Sequence, residues 1–299
     1  MTKSFAFSKT SRPDTLHDLS VLPQMTDHSS DLPSRYITLL HLAALKNDDK
    51  WAFSLIKDGA DVVAKGGRYG ETPLQFAAQS DADKVASVLL ENGADVNGAD
   101  VDVNDKAIRT PLHEAASLHE AASHNADKVV SILLKNGADV AAKDSGGNMA
   151  LHLAVSENAE KVVLLLLQSG ANVAAKNGFG TTPLHFAANE DAEKIASLLL
   201  EKGADIEAKT DEGQTPLHFA ASDSAEMLAA LLLGKGADVS AKTTAGHTPL
   251  HTAAYHSADK VAALLLRYGA DAGAKSIWGE TPLDLAKREG HTDIIRLLK

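Results

Sequence analysis

Short apolar stretches alternate with polar breaks along most of the chain, and this pattern returns at a regular interval. Within the segment 216–233, an apolar group that ends at Ala221 is followed by the polar residues Asp223 and Ser224. A second apolar group then runs from Leu228 to Leu233. The pattern predicts two short helices, the first with small residues on its packing face and the second apolar around much of its circumference. A helix packed between two neighbours has this second character.

The residues that flank these apolar groups are suited to helix ends. Thr215 can cap the first helix through its hydroxyl, and Pro216 occupies the first helical position, where its missing N–H costs nothing. Gly236 can end the second helix in a left-handed conformation. The link 237–247 contains Gly246 just before the next Thr-Pro, which predicts a tight hairpin-like turn that projects from the helices.

The same pattern repeats along the sequence. Thr-Pro-Leu occurs at Thr182, Thr215, Thr248 and Thr281, each 33 residues after the one before. A period of this length predicts a stacked array in which each unit covers the apolar face of the next. A register based on Thr-x-Leu-His opens eight units, whose opening residues are Thr38, Thr72, Thr110, Met149, Thr182, Thr215, Thr248 and Thr281.

Three recurring motifs carry a family resemblance: Thr-Pro-Leu-His-x-Ala-Ala, then Leu-Leu-Leu, then Gly-Ala-Asp. On this repeat length they resemble the ankyrin repeat family over roughly residues 37–299. The resemblance implies an all-α solenoid of stacked antiparallel helix pairs, joined by projecting turns that resemble β-hairpins. It also implies binding of other proteins along the concave side, without catalysis.

The chain departs from the family pattern between the two helices of each unit, where the family usually has Gly-His. That pair is present only at Gly290-His291. Asn and Asp tolerate a left-handed turn and can cap the second helix, whereas Ser is less suited to this geometry. The replacing residues in the first seven units are Asn47, Asp81, Asn125, Asn158, Asp191, Ser224 and Ser257.

Two further segments interrupt the regular pattern. Residues 1–36 are rich in Ser and contain three Pro residues, so we expect a disordered or weakly ordered tail ahead of a repeat domain at 37–299. Short tandem duplications at 93–102 and 112–123 lengthen the third unit, so we expect a bulge or a longer loop there. The duplications are interpreted either as tolerated loop insertions or as a protrusion specific to a partner.

Composition narrows the possible functions. Aromatic residues make up only 4% of the chain, which predicts thin layers of Ala, Leu and Val. The net charge of −11 falls on residues 37–299, which disfavours nucleic acid and favours a protein partner with basic patches. The absence of cysteine excludes disulfides and thiolate metal sites. We found neither a signal peptide nor an apolar run long enough to span a membrane, so we expect a cytoplasmic protein.

Six of the thirteen histidines recur at one place in successive units: His41, His113, His152, His185, His218 and His251. Equivalent side chains in stacked helices lie about 8–10 Å apart, which is too far to share one metal ion. We therefore predict that each histidine hydrogen-bonds a turn. The stretch from His113 to Glu120 lacks the four-residue spacing of a zinc-protease helix. With no phosphate-binding loop and no nucleophile with a partner base, we expect no enzyme, metal or cofactor.

The projecting turns contain the candidate contact residues. Tyr69, Phe179 and Trp278 occupy one equivalent position, three residues before an opening Thr. We expect Tyr255 and His256 on the concave side near the turns. Rigid aromatic side chains are common interface anchors, although these rings could instead pack on an adjacent turn. The complete set of candidate partner-binding residues is Arg68, Tyr69, Phe179, Asp211, Glu212, His247, Tyr255, His256, Ile277 and Trp278.

These observations lead to two functional hypotheses. The first is a monomeric, non-enzymatic scaffold that binds a partner protein on its concave and turn surface. The second is an adaptor or effector whose residues 1–36 recruit other machinery while the repeats select the target.

Overall fold

The predicted all-α solenoid is confirmed. The computed structural model describes residues 37–67, 70–98, 110–116 and 126–299, which contain sixteen helices and, as extended pairing, one isolated bridge between Gly66 and Glu71. The helices are α1 (Leu39–Leu45), α2 (Asp49–Lys57), α3 (Pro73–Gln79), α4 (Asp83–Glu91), α5 (Pro111–Ala116), α6 (Ala126–Lys135), α7 (Ala150–Ser156), α8 (Glu160–Gln168), α9 (Pro183–Asn189), α10 (Glu193–Glu201), α11 (Pro216–Ser222), α12 (Glu226–Gly234), α13 (Pro249–His256), α14 (Asp259–Arg267), α15 (Pro282–Glu289) and α16 (Thr292–Leu297).

The helices form eight pairs that stack in sequence order. Within each pair the first helix contacts the second, and each first helix also contacts the first helix of the next unit. The second helices contact one another in the same way, so the array has one layer of first helices and one layer of second helices. We call the exposed side of the first helices, together with the projecting turns, the first-helix face.

Small side chains bring these layers together. In unit 6 the side chains of Leu217, Ala220 and Ala221 are at most 1% exposed, and Leu228 and Leu232 of the second helix are fully buried. Alanine at the contact lets neighbouring helices approach closely, while leucine supplies most of the apolar area that leaves water. Burial in each unit therefore depends on the units on either side.

The recurring histidines connect each unit to the next. In unit 6, the backbone N–H and the hydroxyl of Thr215 both donate to Nδ1 of His218, at 3.1 and 2.9 Å. Because Nδ1 accepts, Nε2 carries the proton and donates to the carbonyl of His247, 3.1 Å away. The predicted bond to a turn is confirmed, but the turn belongs to the following unit. The same Nε2 bond joins His41 to Glu71, His113 to Asn148, His152 to Thr181, His185 to Gln214 and His251 to Glu280.

Burial keeps these imidazoles neutral. Desolvation lowers the pKa of His185 and His218 to about 4, against the opposing effect of the backbone carbonyl that each one contacts. Burial also lowers the pKa of His41, His152 and His251. A second proton would have to bind Nδ1. It would turn this acceptor into a donor, which would then face the N–H of the opening residue.

Two units replace this histidine by another acceptor. In unit 2, Oε1 of Gln75 accepts the Thr72 N–H at 2.8 Å, and the Gln75 side chain is buried. In unit 8, Oδ2 of Asp284 accepts from the Thr281 N–H at 3.0 Å, at an exposed position. A neutral acceptor such as Gln75 can therefore replace the histidine at a buried position. The charged acceptor Asp284 replaces it in the last unit, where the position is exposed.

The residues between the helices adopt the left-handed conformation that we expected. All six described replacements have positive φ, from 49° at Asn47 to 59° at Ser257, so both serines also accept this geometry. The expectation that these residues cap their own second helix was wrong for Asn47 and Asp191. Asn47 instead accepts from the N–H groups of Lys84 and Val85 in unit 2, because neighbouring loops lie over one another in the stack. Likewise, Asp191 accepts from the first turn of α12 in the next unit.

Several sequence predictions fall on residues that the structure does not describe. They concern the tail 1–36, residues 99–102 and 117–123 of the two duplications, and Asn125. In the first unit Lys46, Asp48 and Lys50 are exposed, and Leu39, Leu45 and Phe53 are 41%, 47% and 57% exposed. The surface of this unit therefore contains both charged and apolar side chains.

The histidine links predict that the array loses stability in acid. The folded pKa lies below that of the unfolded chain, so the unfolded state binds protons first as the pH falls below about 6.5. Each link should then lose up to about 1.4 kcal/mol per pH unit until its folded pKa is reached. Urea unfolding followed by circular dichroism at pH 7.5 and 5.0 measures this loss.

The natural Gln75 supplies the control for this experiment. The double variant His185→Gln/His218→Gln should fold and should lose less free energy of unfolding between pH 7.5 and 5.0 than the parent. An equal loss in both proteins would show that other groups cause the acid sensitivity.

The left-handed loops predict opposite effects of glycine at two equivalent positions. Ser257→Gly should raise the free energy of unfolding by about 0.5–1 kcal/mol, because glycine adopts positive φ without steric cost. Asn47→Gly should instead lower it by about 1 kcal/mol, because the Val85 N–H loses its acceptor and the hydrogen bond from the Asn47 amide to Asp83 is lost. Urea unfolding checks both values, and stabilisation by both substitutions would contradict the cross-unit cap.

Candidate interaction surface

A short polar side chain shapes each of the last five projecting turns. In the turn before Thr182, Oδ1 of Asn177 accepts from the N–H groups of Phe179 and Thr181, both at 3.0 Å. Gly180 then takes a φ of 73°, which lets its N–H return to the Asn177 carbonyl. Asp144, Thr210, Thr243 and Ser276 occupy the same position in their units and accept in a similar way.

Backbone hydrogen bonds connect each of these turns to the next. The N–H of Asp211 donates to the Phe179 carbonyl at 3.1 Å, and the N–H of Thr244 donates to the Glu212 carbonyl at 2.9 Å. The series ends with the Ile277 N–H, which donates to the Ala245 carbonyl at 3.1 Å. The last five turns therefore form one connected strip, and side chains at their tips have a supported backbone.

The tips hold several of the predicted contact residues. Phe179, Ile277 and Trp278 are 69%, 67% and 64% exposed, and Asp211 and Glu212 are also exposed. These five side chains are distributed over three turns rather than gathered at one spot. Arg68 and Tyr69 lie outside the described residues, so their place in the strip stays a prediction.

A second group of predicted residues lies around the first helix of unit 7. The rings of His247 and Trp278 have centroids 5.6 Å apart, and His247 also stacks on His251 at 5.4 Å. At the end of α13, the rings of Tyr255 and His256 make an edge-to-face contact at 5.0 Å. With Ile277, which is next to Trp278 in the same turn, five of the ten predicted residues lie in units 7 and 8.

One expectation about this group was wrong. We expected Tyr255 and His256 near the turns, but Tyr255 lies in the last turn of α13, about 9 Å along the helix axis from its start at Pro249. The helix begins at the turn and runs away from it. One surface groove nevertheless connects His247, near the start of α13, with Tyr255 at its end.

We call this groove the unit-7 groove. It has a volume of about 200 Å³ and runs along α13, with His247 near the start of the helix and Tyr255 and His256 at its end. Its remaining walls come from units 6, 7 and 8 and consist of Gln214, His251, Thr252, Leu285 and Arg288. Both apolar and hydrogen-bonding groups therefore line one recess.

Electrostatic contacts fix the rim of the groove. Arg288 bonds to the carboxylates of Glu280 and Glu289, at 2.6 and 3.0 Å, and its guanidinium lies 6.0 Å from the Tyr255 ring centroid. Burial lowers the pKa of His247, whose Nε2 has no hydrogen-bond partner among the described residues. His247 is therefore a neutral ring held by contacts with two other rings.

Sequence reasoning missed five residues of this groove. Gln214, His251, Thr252, Leu285 and Arg288 belong to three units, and no local motif links them. One signal was present in the repeat register. The fourth residue after the opening position is Phe in units 2, 5 and 6, whereas in unit 7 it is Thr252, the smallest side chain at this position in the eight units.

The described residues contain no group of three or more His, Asp or Glu side chains that could hold a metal ion. In the same part of the chain, no helix is both long enough and apolar enough to cross a membrane.

The stacked helix pairs, their linking histidines and the strip of turns define a helical repeat protein with a projecting turn ahead of each of its last five units. The chain belongs to the ankyrin repeat family. The family model described as ankyrin repeats in three copies matches residues 11–100, 40–144, 97–177, 173–243 and 223–299. Ankyrin repeats are generally protein-interaction modules and are typically not enzymes.

Curated relatives match over shorter stretches. The chain is 36% identical to Inversin of Gallus gallus over 77 residues, which is 26% of this chain and 6% of Inversin. It is 36% identical to Rabankyrin-5 of Mus musculus over 91 residues, 27% of this chain and 7% of the relative. It is 35% identical to Ankyrin repeat and SOCS box protein 5 of Mus musculus over 77 residues, 26% and 22% of the two lengths.

The connected turns predict different costs for alanine at two equivalent glycines. Gly180 and Gly279 have φ of 73° and 77°, so alanine is strained at both. A Cβ at Gly180 would lie 2.8 Å from the backbone nitrogen of Asp211, whereas a Cβ at Gly279 meets nothing within 4 Å. Gly180→Ala should therefore lose at least about 1 kcal/mol more free energy of unfolding than Gly279→Ala. Urea unfolding measures the difference, and equal losses would contradict the packing between turns.

Proposed function

We propose that this chain is a non-enzymatic scaffold that binds a partner protein on its first-helix face. The observation that carries the proposal is the group of exposed rings on a connected support. Trp278 and Tyr255 are 64% and 45% exposed although aromatic residues are scarce in the chain. Exposed rings with a fixed backbone lose little conformational freedom on binding and are common anchors of interfaces.

Charge supports a partner with basic patches. The chain has a net charge of −11, and exposed acidic side chains lie on the first-helix face at Asp211, Glu212, Glu190 and Asp223. Opposite charge on a partner would speed its encounter with this face and orient it there. We further propose that one copy of the chain is sufficient for binding.

The proposal predicts that two rings dominate binding. The double variant Trp278→Ala/Tyr255→Ala should capture its cellular partners about 30-fold less well, because the loss of an interface anchor costs about 2 kcal/mol or more. Affinity purification with quantitative mass spectrometry measures the captured amounts.

Phe53 provides a matched control. It lies on the second helix of unit 1 and is 57% exposed, so Phe53→Ala removes a comparable exposed ring away from the first-helix face. Partner amounts should stay unchanged in that variant. Equal capture by the double variant, with its circular dichroism preserved, would exclude these rings as anchors.

A further inference from the structure

We infer that the unit-7 groove receives an aromatic side chain from a protein segment that carries basic residues about three and six positions away, on the side facing units 6 and 5. This inference rests on the proposed function and names the chemistry of the partner. Three observations support it: a side chain missing from a repeated contact, the walls of the recess that remains, and the charges beyond one end.

The repeated contact is a ring packed against the histidine of the preceding unit. Phe76 meets His41 edge-on with ring centroids 4.8 Å apart, and Phe219 meets His185 in the same way at 5.0 Å. Phe186 repeats the arrangement with His152 at 5.5 Å. In unit 7 the equivalent residue is Thr252, so no aromatic side chain from this position packs against the histidine of the preceding unit.

The recess beside Thr252 has the size and walls for a ring. Its volume is about 200 Å³, and an apolar cavity of about 150 Å³ can hold benzene. Leu285 and the Thr252 methyl group supply apolar contact, while Tyr255 and His247 offer ring edges or faces. An aromatic side chain suits this lining better than a charged group, because the rim cation Arg288 is already bonded to two carboxylates.

Charges on either side of the groove give the partner a direction. His256 occupies the eighth position after the opening residue, and the same position is Asp223 in unit 6 and Glu190 in unit 5, both exposed. In unit 8 the same position is Glu289, but its charge is offset by its bond to Arg288 and by the neighbouring Lys287. A basic segment is therefore attracted more strongly toward units 6 and 5 than toward unit 8.

Helix spacing sets the positions of the basic residues. First helices of adjacent units lie about 8–10 Å apart, which places Asp223 and Glu190 at about 10 and 20 Å from His256. An extended chain advances about 3.3–3.6 Å per residue, so basic side chains about three and six residues from the aromatic side chain reach these two carboxylates.

Two synthetic peptides test this chemistry directly. The sequences Lys-Gly-Ser-Lys-Gly-Ser-Phe and Phe-Ser-Gly-Lys-Ser-Gly-Lys present the same pattern in the two chain directions. We expect one of them to bind with a Kd below about 1 mM and to shift the amide signals of α13 in NMR titration. Replacing its Phe by Ala should weaken binding at least about tenfold, and replacing both Lys by Glu should weaken it similarly.

The protein variant Thr252→Phe restores the ring that units 2, 5 and 6 carry, so it should fold while filling the groove. It should bind the preferred peptide at least about tenfold more weakly, whereas the control Thr252→Ser should bind within about twofold of the parent. If Thr252→Phe unfolds at a lower temperature than the parent, Thr252→Leu replaces it in the test. Leucine is the residue at this position in units 1, 4 and 8. Failure of both Phe peptides to bind, or undiminished binding by a folded filled-groove variant, overturns the inference.

Capture of cellular partners separates this inference from the proposed function. Loss of capture in Thr252→Phe, with capture kept in Thr252→Ser, supports both. Full capture by Thr252→Phe, together with loss in Trp278→Ala/Tyr255→Ala, overturns the groove and leaves the scaffold proposal intact. Full capture by all three variants overturns both.

Discussion

A neutral imidazole between consecutive units is the interaction on which the rest of this structure depends. Its Nδ1 accepts from the residue that opens its own helix, and its Nε2 donates to the turn that opens the next unit. One side chain thereby fixes a helix start, satisfies a buried carbonyl and sets the offset between neighbours. The arrangement requires burial without charge, which is why apolar helices and edge-on phenylalanine rings surround several of these histidines.

The strip of turns follows from this link. Since the imidazole holds the last carbonyl of the following turn, the turns lie at a constant offset and their backbones can hydrogen-bond one to the next. Tip residues such as Phe179 and Trp278 then project from a continuous support, although each belongs to a short irregular segment. The surface combines variable side chains with a backbone of nearly constant geometry, and that combination suits recognition of a protein partner.

Local chemistry explains which parts of the fold could be predicted from the sequence. Thr215, Pro216 and Gly246 each act within a few residues of themselves, so the helix start and the turn were predictable from the sequence alone. The sequence predicted that each histidine hydrogen-bonds a turn. The acceptor of His218 lies 29 residues away, however, and its position depends on how the units are offset. For the same reason the cap that Asn47 provides to α4 was assigned to the wrong helix.

The candidate site was less predictable because its parts come from several units. Exposure of Phe179, Ile277 and Trp278 followed from their place at turn tips. The position of Tyr255 required the direction of α13 relative to its turn, and the groove required side chains from three units at once. The repeat register shows that Thr252 stands where units 2, 5 and 6 have a phenylalanine. That this change borders a groove became evident only from the residues of the neighbouring units.

The links between units have an evolutionary consequence. The acceptor of each histidine is a backbone carbonyl, and the residues that supply it are as different as Glu71, Asn148, Thr181, Gln214 and His247. Neighbouring units therefore recognise a shared main chain and need no matched pair of side chains. Genetic gain or loss of whole units could change the length of the array without new complementary mutations, while the exposed positions diverge under separate selection.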